Sequence, residues 1–275
     1  MKNISNAKIV LVILFVLTIF TTVLSFPSKW RLFELKYGYR TSCNTCHTEG
    51  GGTENNDYGM AYHRKGENLA AFSALENSDS DQDGFTNLDE IEAKSNPGDS
   101  RSTPGKPGNF LSEQEAQFIP KKLLEKLFSV PVSFTISYAT LDSLKTKEFE
   151  RLVGLKLTED ERVPTFYQAY STGAAPNRIG TALLFFEMEH HKHLVGGLAC
   201  DTTGKISKLA IFKQQVKKGL SLEAFTGQFV GKKSDSDFKV GQQVQPLPSY
   251  PTFSQKLTDY AKKSLFLINY YGLKS

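Results

Sequence analysis

The sequence predicts a multi-domain protein in which a small all-α module precedes an α+β domain with an antiparallel sheet. Three observations predict this fold. A Cys/His motif and an acidic loop lie within the first hundred residues, a Pro- and Gly-rich stretch follows them, and short apolar runs typical of strands come after it. The 275 residues are enough for two domains.

Residues 1–25 have the features of a secretory signal peptide. Lys2 and Lys8 precede an apolar run, and small residues suit cleavage after Ser25. The run, residues 9–24, is shorter than the roughly 20 residues of a spanning helix, so cleavage is favoured over an uncleaved anchor. We therefore expect a protein of the periplasm or otherwise exported.

Charge and cysteine content exclude some classes of partner. The net charge of +4 in a 23% charged chain is mild. The basic pairs, such as Lys217-Lys218, indicate solvated surfaces rather than a nucleic-acid site. We expect no disulfide, since two of the three cysteines belong to one motif.

Residues 43–47 read Cys-Asn-Thr-Cys-His, the C-x-x-C-H spacing at which a c-type haem is attached. Cys43 and Cys46 would bind the haem vinyl groups, and His47 would ligate the iron. A zinc half-site and a redox-active dithiol are the alternatives. Zinc would need a second ligand pair, however, and Cys200 stands alone.

The flanking residues predict two helices around this motif. A short helix within residues 26–40 would bring Trp30 or Phe33 close to the haem, although an ordinary core helix fits equally well. A second helix is predicted from Asp57, as N-cap, through Phe72.

The second helix holds the candidates for the sixth iron ligand. Met60 and His63 lie three residues apart, hence on one face. Met would raise the reduction potential, His would lower it, and an empty position would admit small ligands. A ligand from elsewhere in the chain is the remaining alternative.

An acidic loop at residues 79–90 has the spacing of a calcium-binding loop, with Gly84 at the turn. Its carboxylates would repel one another without a cation, which favours calcium over a solvated acidic linker. We expect a single structural site. The predicted oxygen ligands are Asp79, Asp81, Asp83, the Phe85 carbonyl, Asn87 directly or through water, and Glu90 with both oxygens.

These features together resemble a single-haem cytochrome module of exported bacterial proteins. In that module C-x-x-C-H precedes a Tyr-Gly segment, here Tyr58-Gly59, and then a D-x-D-x-D-G calcium loop. The resemblance covers residues 26–94 and implies a small, helical, cytochrome c-like fold that depends on haem for much of its core. So short a segment buries too little apolar surface unaided.

Residues 95–111 are predicted to be a linker, because they combine Pro and Gly without periodicity. Residues 112–275 form the predicted α+β domain. Its predicted elements are a capping box at Ser112–Glu115, strands at Val132–Tyr138, Pro164–Ser171, Gly180–Glu189, His193–Cys200 and Lys205–Lys213, and helices at Leu144–Val153 and Ser254–Tyr270.

This part of the chain resembles the exported FMN-binding domain of quinone-reductase and electron-transport-complex subunits. The likeness consists of a D-x-x-G-K-I turn at residues 201–206, an F-x-x-Q-F-x-G-K segment at residues 225–232 and a C-terminal helix. It implies FMN linked to a Thr in an S-G-A-T motif, where Thr252 matches but Tyr250 and Pro251 replace Gly and Ala. We expect a domain that has lost FMN or binds it non-covalently, with Thr252 as a helix N-cap in the first case.

Two further features have structural interpretations. Imidazoles in His190-His191-Lys192-His193 could bind a transition metal, but a strand would place them on opposite sides, which favours a solvated hairpin. Cys200 is expected to be a buried small hydrophobe.

The sequence therefore predicts an electron carrier rather than an enzyme, with a redox partner protein or quinone-linked complex as its partner. The alternatives are a haem-based ligand-binding or sensor protein and a mono-haem enzyme acting on a small molecule.

Overall fold

The computed structural model describes residues 28–51, 53–111, 119–189, 192–214 and 221–273. Within these ranges no helix is both long and apolar enough to cross a membrane. The predicted signal peptide, the predicted capping box at Ser112–Glu115, His190 and His191 lie outside the described residues. The chain divides into two compact units.

The first unit, called the helical unit, comprises Thr41–Glu67 and Ala71–Gln114. The second, called the sheet unit, comprises Pro27–Arg40, Asn68–Ala70 and Glu115–Ser275. The helices of the first hundred residues are α1 at Ser28–Tyr37, α2 at Asp57–Arg64, α3 at Leu69–Leu75 and α4 at Asn87–Ala93.

The structure has two helices where the sequence predicted a single helix from Asp57 to Phe72. One helix from Asp57 to Phe72 was the wrong prediction, because α2 ends before Gly66, which has a φ of 97°, and α3 begins after it. Asp57 is not the N-cap either. Asn56 caps α2, since its side chain accepts a hydrogen bond from the Gly59 N–H.

Helix α4 is defined by local chemistry at both ends. A capping box joins Thr86 and Asp89 at its start. Its C-cap, Lys94, adopts the left-handed conformation with a φ of 60°. The chain therefore turns sharply just after the acidic loop and its helix.

Helix α1 belongs to the sheet unit rather than to the predicted module of residues 26–94. The rings of Trp30 and Tyr138 meet edge to face with centroids 5.6 Å apart. Arg31 Nη2 donates to Thr140 Oγ1 at 2.8 Å, and Lys29 pairs with Asp160 at 3.0 Å. A large aromatic side chain needs an apolar partner, and a strand-end tyrosine provides one for Trp30.

The sheet unit contains a five-stranded antiparallel meander in the order β1-β2-β3-β4-β5, which confirms the predicted α+β class with an antiparallel sheet. Each strand begins and ends within two residues of its prediction, because the alternating apolar pattern is a local signal. The strands are β1 at Val132–Tyr138, β2 at Thr165–Ser171, β3 at Arg178–Glu189, β4 at Lys192–Asp201 and β5 at Ile206–Gln214.

Helices cover both faces of this sheet. Phe166 and Leu183 lie in the larger core with the C-terminal helix, whereas Tyr167 and Ala182 pack against the short helical segment that contains Leu124. Alternation along each strand separates the two sets. The helices of the unit are α5 at Lys121–Leu124, α6 at Ser143–Val153, α7 at Glu223–Gly227 and α8 at Pro251–Leu267, which continues as a π-helical turn at Ile268–Gly272.

The predicted linker at residues 95–111 is folded over much of its length. Ser95, Asn96 and Ser102 are buried, and the Ser102 hydroxyl donates to the Pro107 carbonyl at 2.8 Å. Proline and glycine here form a succession of tight turns rather than a flexible spacer. These turns belong to the helical unit.

The mild net charge conceals opposite charges in the two units. The helical unit carries 13 Asp and Glu against 5 Lys and Arg, a net −8. The sheet unit carries 16 against 26, a net +10. Any charged partner therefore meets two units of opposite sign.

Candidate metal centres

The C-x-x-C-H segment folds as a single tight turn. Cys43–Thr45 is one turn of 3-10 helix, and the N–H groups of Cys46 and His47 both donate to the Cys43 carbonyl, at 3.1 and 3.0 Å. The Ser42 hydroxyl caps the turn by accepting from the Asn44 N–H. The backbone thus brings both thiols and the imidazole into one short segment, as haem attachment requires.

The His47 ring is held in a defined orientation. Its Nδ1 lies 2.9 Å from the Thr53 carbonyl, so Nδ1 carries the proton and Nε2 is left as the ligand atom. Thr53 is itself fixed, because its hydroxyl donates to the Gly50 carbonyl at 2.8 Å. This backbone contact is the arrangement by which proteins orient a metal-binding histidine.

The thiols lack the electrostatics of a reactive dithiol. Burial, followed by the neighbouring Cys43, raises the pKa of the Cys46 thiol to about 12. A catalytic dithiol requires a lowered pKa in an electropositive setting. None of the three cysteines forms a disulfide within the described part of the chain. These facts favour haem attachment over the dithiol alternative.

Asn56 and Gly59 bind the C-x-x-C-H turn to α2. The Asn56 amide group donates to the carbonyls of Asn44 at 2.9 Å and Thr45 at 3.2 Å, and its N–H donates to the Cys46 carbonyl at 3.0 Å. A Cβ on Gly59 would lie 2.0 Å from the Cys46 carbonyl oxygen, so only glycine permits this approach. Asparagine is a preferred N-cap, and this signal could have identified Asn56 from sequence.

The two candidates for the sixth ligand lie on α2, as predicted. Met60 is 41% exposed. His63 is also exposed, and its Nδ1 lies 2.5 Å from the Glu67 carboxylate. That contact leaves Nε2 of His63 as its ligand atom.

The acidic loop brings its first three aspartates together. Ligand oxygens of Asp79, Asp81 and Asp83 all lie within 4.8 Å of one another. Asp79 also shapes the loop, because its carboxylate accepts from the Gln82 and Gly84 N–H groups at 2.7 and 2.9 Å. Backbone donors thus hold the carboxylates around one point.

Glu90, the twelfth residue of the loop, lies in α4 and interacts electrostatically with the three aspartates, although it is not one of the carboxylates whose oxygens lie within 4.8 Å of one another. It is fully buried, and neither of its carboxylate oxygens has a hydrogen-bond partner in the described part of the chain. The same holds for both oxygens of Asp81 and for Oδ2 of Asp83. A buried carboxylate without a donor needs a cation, so these residues fit calcium.

The raised pKa values of two loop side chains, Glu90 and Asp81, also indicate that a cation is needed here. Burial, then the charges of Asp81 and Asp83, raise the pKa of Glu90 to about 9. Burial and then Asp83 raise that of Asp81 to about 6. The clustered carboxylates therefore resist ionisation until a positive charge lies among them.

Asn87 serves the loop as a structural residue. It is fully buried, its Oδ1 accepts from the Ser80 N–H at 3.2 Å, and its Nδ2 donates to the Leu75 carbonyl at 2.7 Å. These hydrogen bonds close the loop, and the predicted role of Asn87 as a direct or water-mediated ligand stays a prediction. Phe85, whose carbonyl is a predicted ligand, has a 41% exposed side chain.

The sheet unit does not reproduce the predicted flavin-binding helix start. The prediction of Thr252 as N-cap is wrong, because α8 begins at Pro251 with Tyr250 as N-cap. Pro251 has no N–H, and the Tyr250 N–H donates to the Leu247 carbonyl. Because Tyr250 is bulky and Pro251 lacks an N–H, the residues before the exposed Thr252 do not match the Gly and Ala of a phosphate-linked FMN site.

Two other predictions concern the same unit. The turn at residues 201–206 joins β4 to β5, where Asp201 Oδ1 accepts from the N–H groups of Thr203 and Lys205. Cys200 is fully buried in the larger core, which confirms its role as a small hydrophobe. The backbone of His193 lies in β4, and its side chain lies outside the described part.

No protein-family model matches the chain, and no curated protein matches it.

Proposed function

We propose that this protein is an exported electron-transfer protein with one haem c attached through Cys43 and Cys46 and ligated by His47, and with one structural calcium ion. The observation that carries the proposal is the fixed His47 ring, whose Nδ1 contacts the Thr53 carbonyl within the same short segment as both thiols. The haem would supply one-electron chemistry. The chain would position it and set its potential.

Residues of the helical unit would attach the haem, orient its iron ligand and bind calcium. The turn holds the thiols, Thr53 orients the imidazole, and Asn56 ties the turn to α2. Asp79, Asp81, Asp83 and Glu90 would hold calcium. We propose a cytochrome c-like module for this unit, with a redox partner protein or quinone-linked complex as its partner.

The flavin part of the resemblance is not included in the proposed function. The start of α8 lacks the small residues that an FMN phosphate would require, and Pro251 removes one N–H donor. Acid extraction of the exported protein, followed by flavin fluorescence of the remaining polypeptide, tests this. Fluorescence that Thr252→Ala removes would restore covalent FMN.

The test of the proposal is production of the full chain in a host that exports proteins and attaches c-type haem. Haem should stay on the denatured polypeptide, and Cys43→Ser with Cys46→Ser should remove it. Cys200→Ala is the matched control, since this buried thiol lies in the sheet unit. A matured protein without covalent haem would contradict the proposal.

Ligand binding or sensing is the second candidate function, and the exposure of both candidate sixth ligands favours it. Met60 is 41% exposed and the His63 side chain is 48% exposed, so neither is held in the interior of the unit. Carbon monoxide distinguishes the two functions, because a six-coordinate reduced haem ignores it whereas an open position binds it. Spectra of Met60→Ala and His63→Ala would identify the sixth ligand.

A further inference from the structure

The carbonyl of Asn44, in the middle of the C-x-x-C-H turn, accepts hydrogen bonds from two asparagine side chains. Asn56 donates from the start of α2 at 2.9 Å. Asn96 donates at 3.1 Å across 52 positions of sequence. The second contact joins the turn to the segment that follows the acidic loop and α4.

Asn96 is itself held in place from several sides. It is 4% exposed, its N–H donates to the Ser102 hydroxyl at 2.9 Å, and its Oδ1 accepts from the Gly98 N–H at 3.1 Å. A Cβ on Gly98 would lie 2.3 Å from the Asn56 amide nitrogen, so the backbone here is closely packed. The side chain of Asn96 therefore cannot shift independently of its backbone.

That backbone is anchored directly on Glu90. The Ser95 N–H donates to the Glu90 carbonyl at 2.8 Å, and the Ser95 hydroxyl contacts the same oxygen at 3.3 Å. Ser95 is fully buried. Asn96 directly follows Ser95 in the chain, so the position of Glu90 sets the position of Asn96.

We infer that Asn96 is a positioning residue that couples calcium in the acidic loop to the haem-attachment turn. This inference rests on the proposed function, because it concerns both of its sites. Calcium would hold Glu90 inward, Glu90 would hold Ser95, and Asn96 would then keep its hydrogen bond to the Asn44 carbonyl. Loss of calcium would loosen the turn that carries Cys43, Cys46 and His47.

The physical reason lies in the buried position of the Glu90 carboxylate. Without a cation this fully buried carboxylate has no hydrogen-bond partner among the described residues, so its burial is costly and an outward movement relieves that cost. Movement of Glu90 displaces the end of α4 and the buried residue after it. Asn56 depends less on Glu90, because its own anchor is the start of α2.

Hydrogen exchange of the haem-loaded full chain tests the coupling. The amides of Thr45, Cys46 and His47 all donate within the turn, so their exchange reports its rigidity. In the wild type a chelator should speed their exchange about fivefold, the lower end of measured couplings between sites. In Asn96→Ala exchange should already be fast with calcium bound, and the chelator should add little.

Three further variants separate coupling from general loosening. Asn56→Ala should also speed exchange, and a chelator effect should remain, because Asn96 still donates to the Asn44 carbonyl. The effects of losing Asn56 and of removing calcium are not expected to add, since both asparagines share that acceptor. Asn96→Asp keeps the acceptor for the Gly98 N–H, removes the donor to Asn44 and adds a negative charge, so it should loosen the turn at least as much as Asn96→Ala does. Asn177→Ala, an exposed change in the sheet unit, should behave as the wild type.

The possible failures are distinguishable. A full chelator effect in Asn96→Ala, or a haem-loaded, calcium-binding wild type whose turn ignores the chelator, overturns the coupling alone. A matured protein without covalent haem, or one that binds no calcium in a terbium luminescence assay, overturns the proposed function together with the coupling.

Discussion

The helical unit and the sheet unit are stabilised in opposite ways. In the described part of the helical unit, the buried polar side chains outnumber the buried hydrophobic ones. The polar set is Thr41, Ser42, Thr45, Asn56, Asn87, Glu90, Ser95, Asn96 and Ser102, and the hydrophobic set is Tyr58, Tyr62, Ala71, Phe72, Leu75 and Ile91. Such an interior depends on its hydrogen bonds and, under the proposed function, on haem and calcium.

The sheet unit instead has a large apolar core. Residues of α6, α8 and four of the strands contribute to it, with Phe166, Leu198 and Leu257 fully buried. Burial of this much apolar surface is a large stabilising contribution. The comparison teaches that one chain can combine a unit with a large apolar core and a unit whose interior is mostly polar.

The largest expected effect is on the helical unit when haem attachment is prevented. With Cys43→Ser and Cys46→Ser together, the helical unit should lose its resistance to proteolysis, because its few apolar residues leave it below the size that folds unaided. The sheet unit should keep its own melting transition. Limited proteolysis with mass spectrometry measures both, and an intact helical unit in this variant would contradict the comparison.

Calcium removal should have the next largest effect. At a calcium concentration a thousand times its Kd, binding stabilises the unit by about 4 kcal/mol, which corresponds to roughly 20 °C in Tm for so small a unit. A chelator should therefore lower one calorimetric transition and leave the other unchanged.

The matched variants for this experiment are Asp81→Asn and Asp99→Asn. Asp81 belongs to the acidic cluster, so its variant should lose most of the calcium response. Asp99 pairs with Arg101 outside the loop, so its variant should keep that response. Equal losses in both would argue against a specific site.

A cavity in the sheet unit should lower the other calorimetric transition, the one that does not respond to calcium. Leu257→Ala removes a fully buried side chain of α8 and should cost about 3 kcal/mol. Only the transition that ignores calcium should move. A change in the calcium-dependent transition would show that the two units do not unfold independently.

The smallest expected effect is a gradual dependence on pH, and its sign depends on calcium. When a chelator has removed calcium, the raised pKa values of Glu90 and Asp81 mean that the folded unit binds their protons more tightly than the unfolded chain does. This contribution is full below about pH 4, near the ordinary pKa values of these side chains, and is lost as pH rises through about 6 and then about 9. Stability of the helical unit should therefore fall as pH rises.

With calcium bound the slope should reverse, because the ion binds the ionised carboxylates. Glu90→Gln should flatten the slope in chelator, since the amide does not titrate. Thermal melts between pH 4 and 9 test both expectations. Parallel slopes with and without calcium would contradict them.

Local patterns predicted the sheet unit well and the helical unit only in part. Alternating apolar residues predicted all five strands, because a half-buried strand repeats every two residues. The acidic loop and the C-x-x-C-H turn were found by spacing. Their geometry fits the proposed ligands, and ion and haem binding stay predictions.

The rest depends on contacts between distant residues, which leave no local pattern. Asn96 looked like part of a linker, yet its amide reaches the Asn44 carbonyl. For Trp30 the sequence left open a place near the haem or in an ordinary core helix, and its contact with Tyr138 was not predicted. In each case the choice of partner is made by the tertiary fold, so residue type alone could not predict it.

Gly59 has a consequence for the search for relatives. Since a Cβ there would collide with the Cys46 carbonyl, any chain that folds this way must carry glycine at the third position after the capping asparagine. Together with the C-x-x-C-H motif, the capping Asn56 and an Asn-Pro-Gly after the acidic loop, it makes a search signature. That signature follows structural constraints and would recognise relatives whose overall similarity has faded.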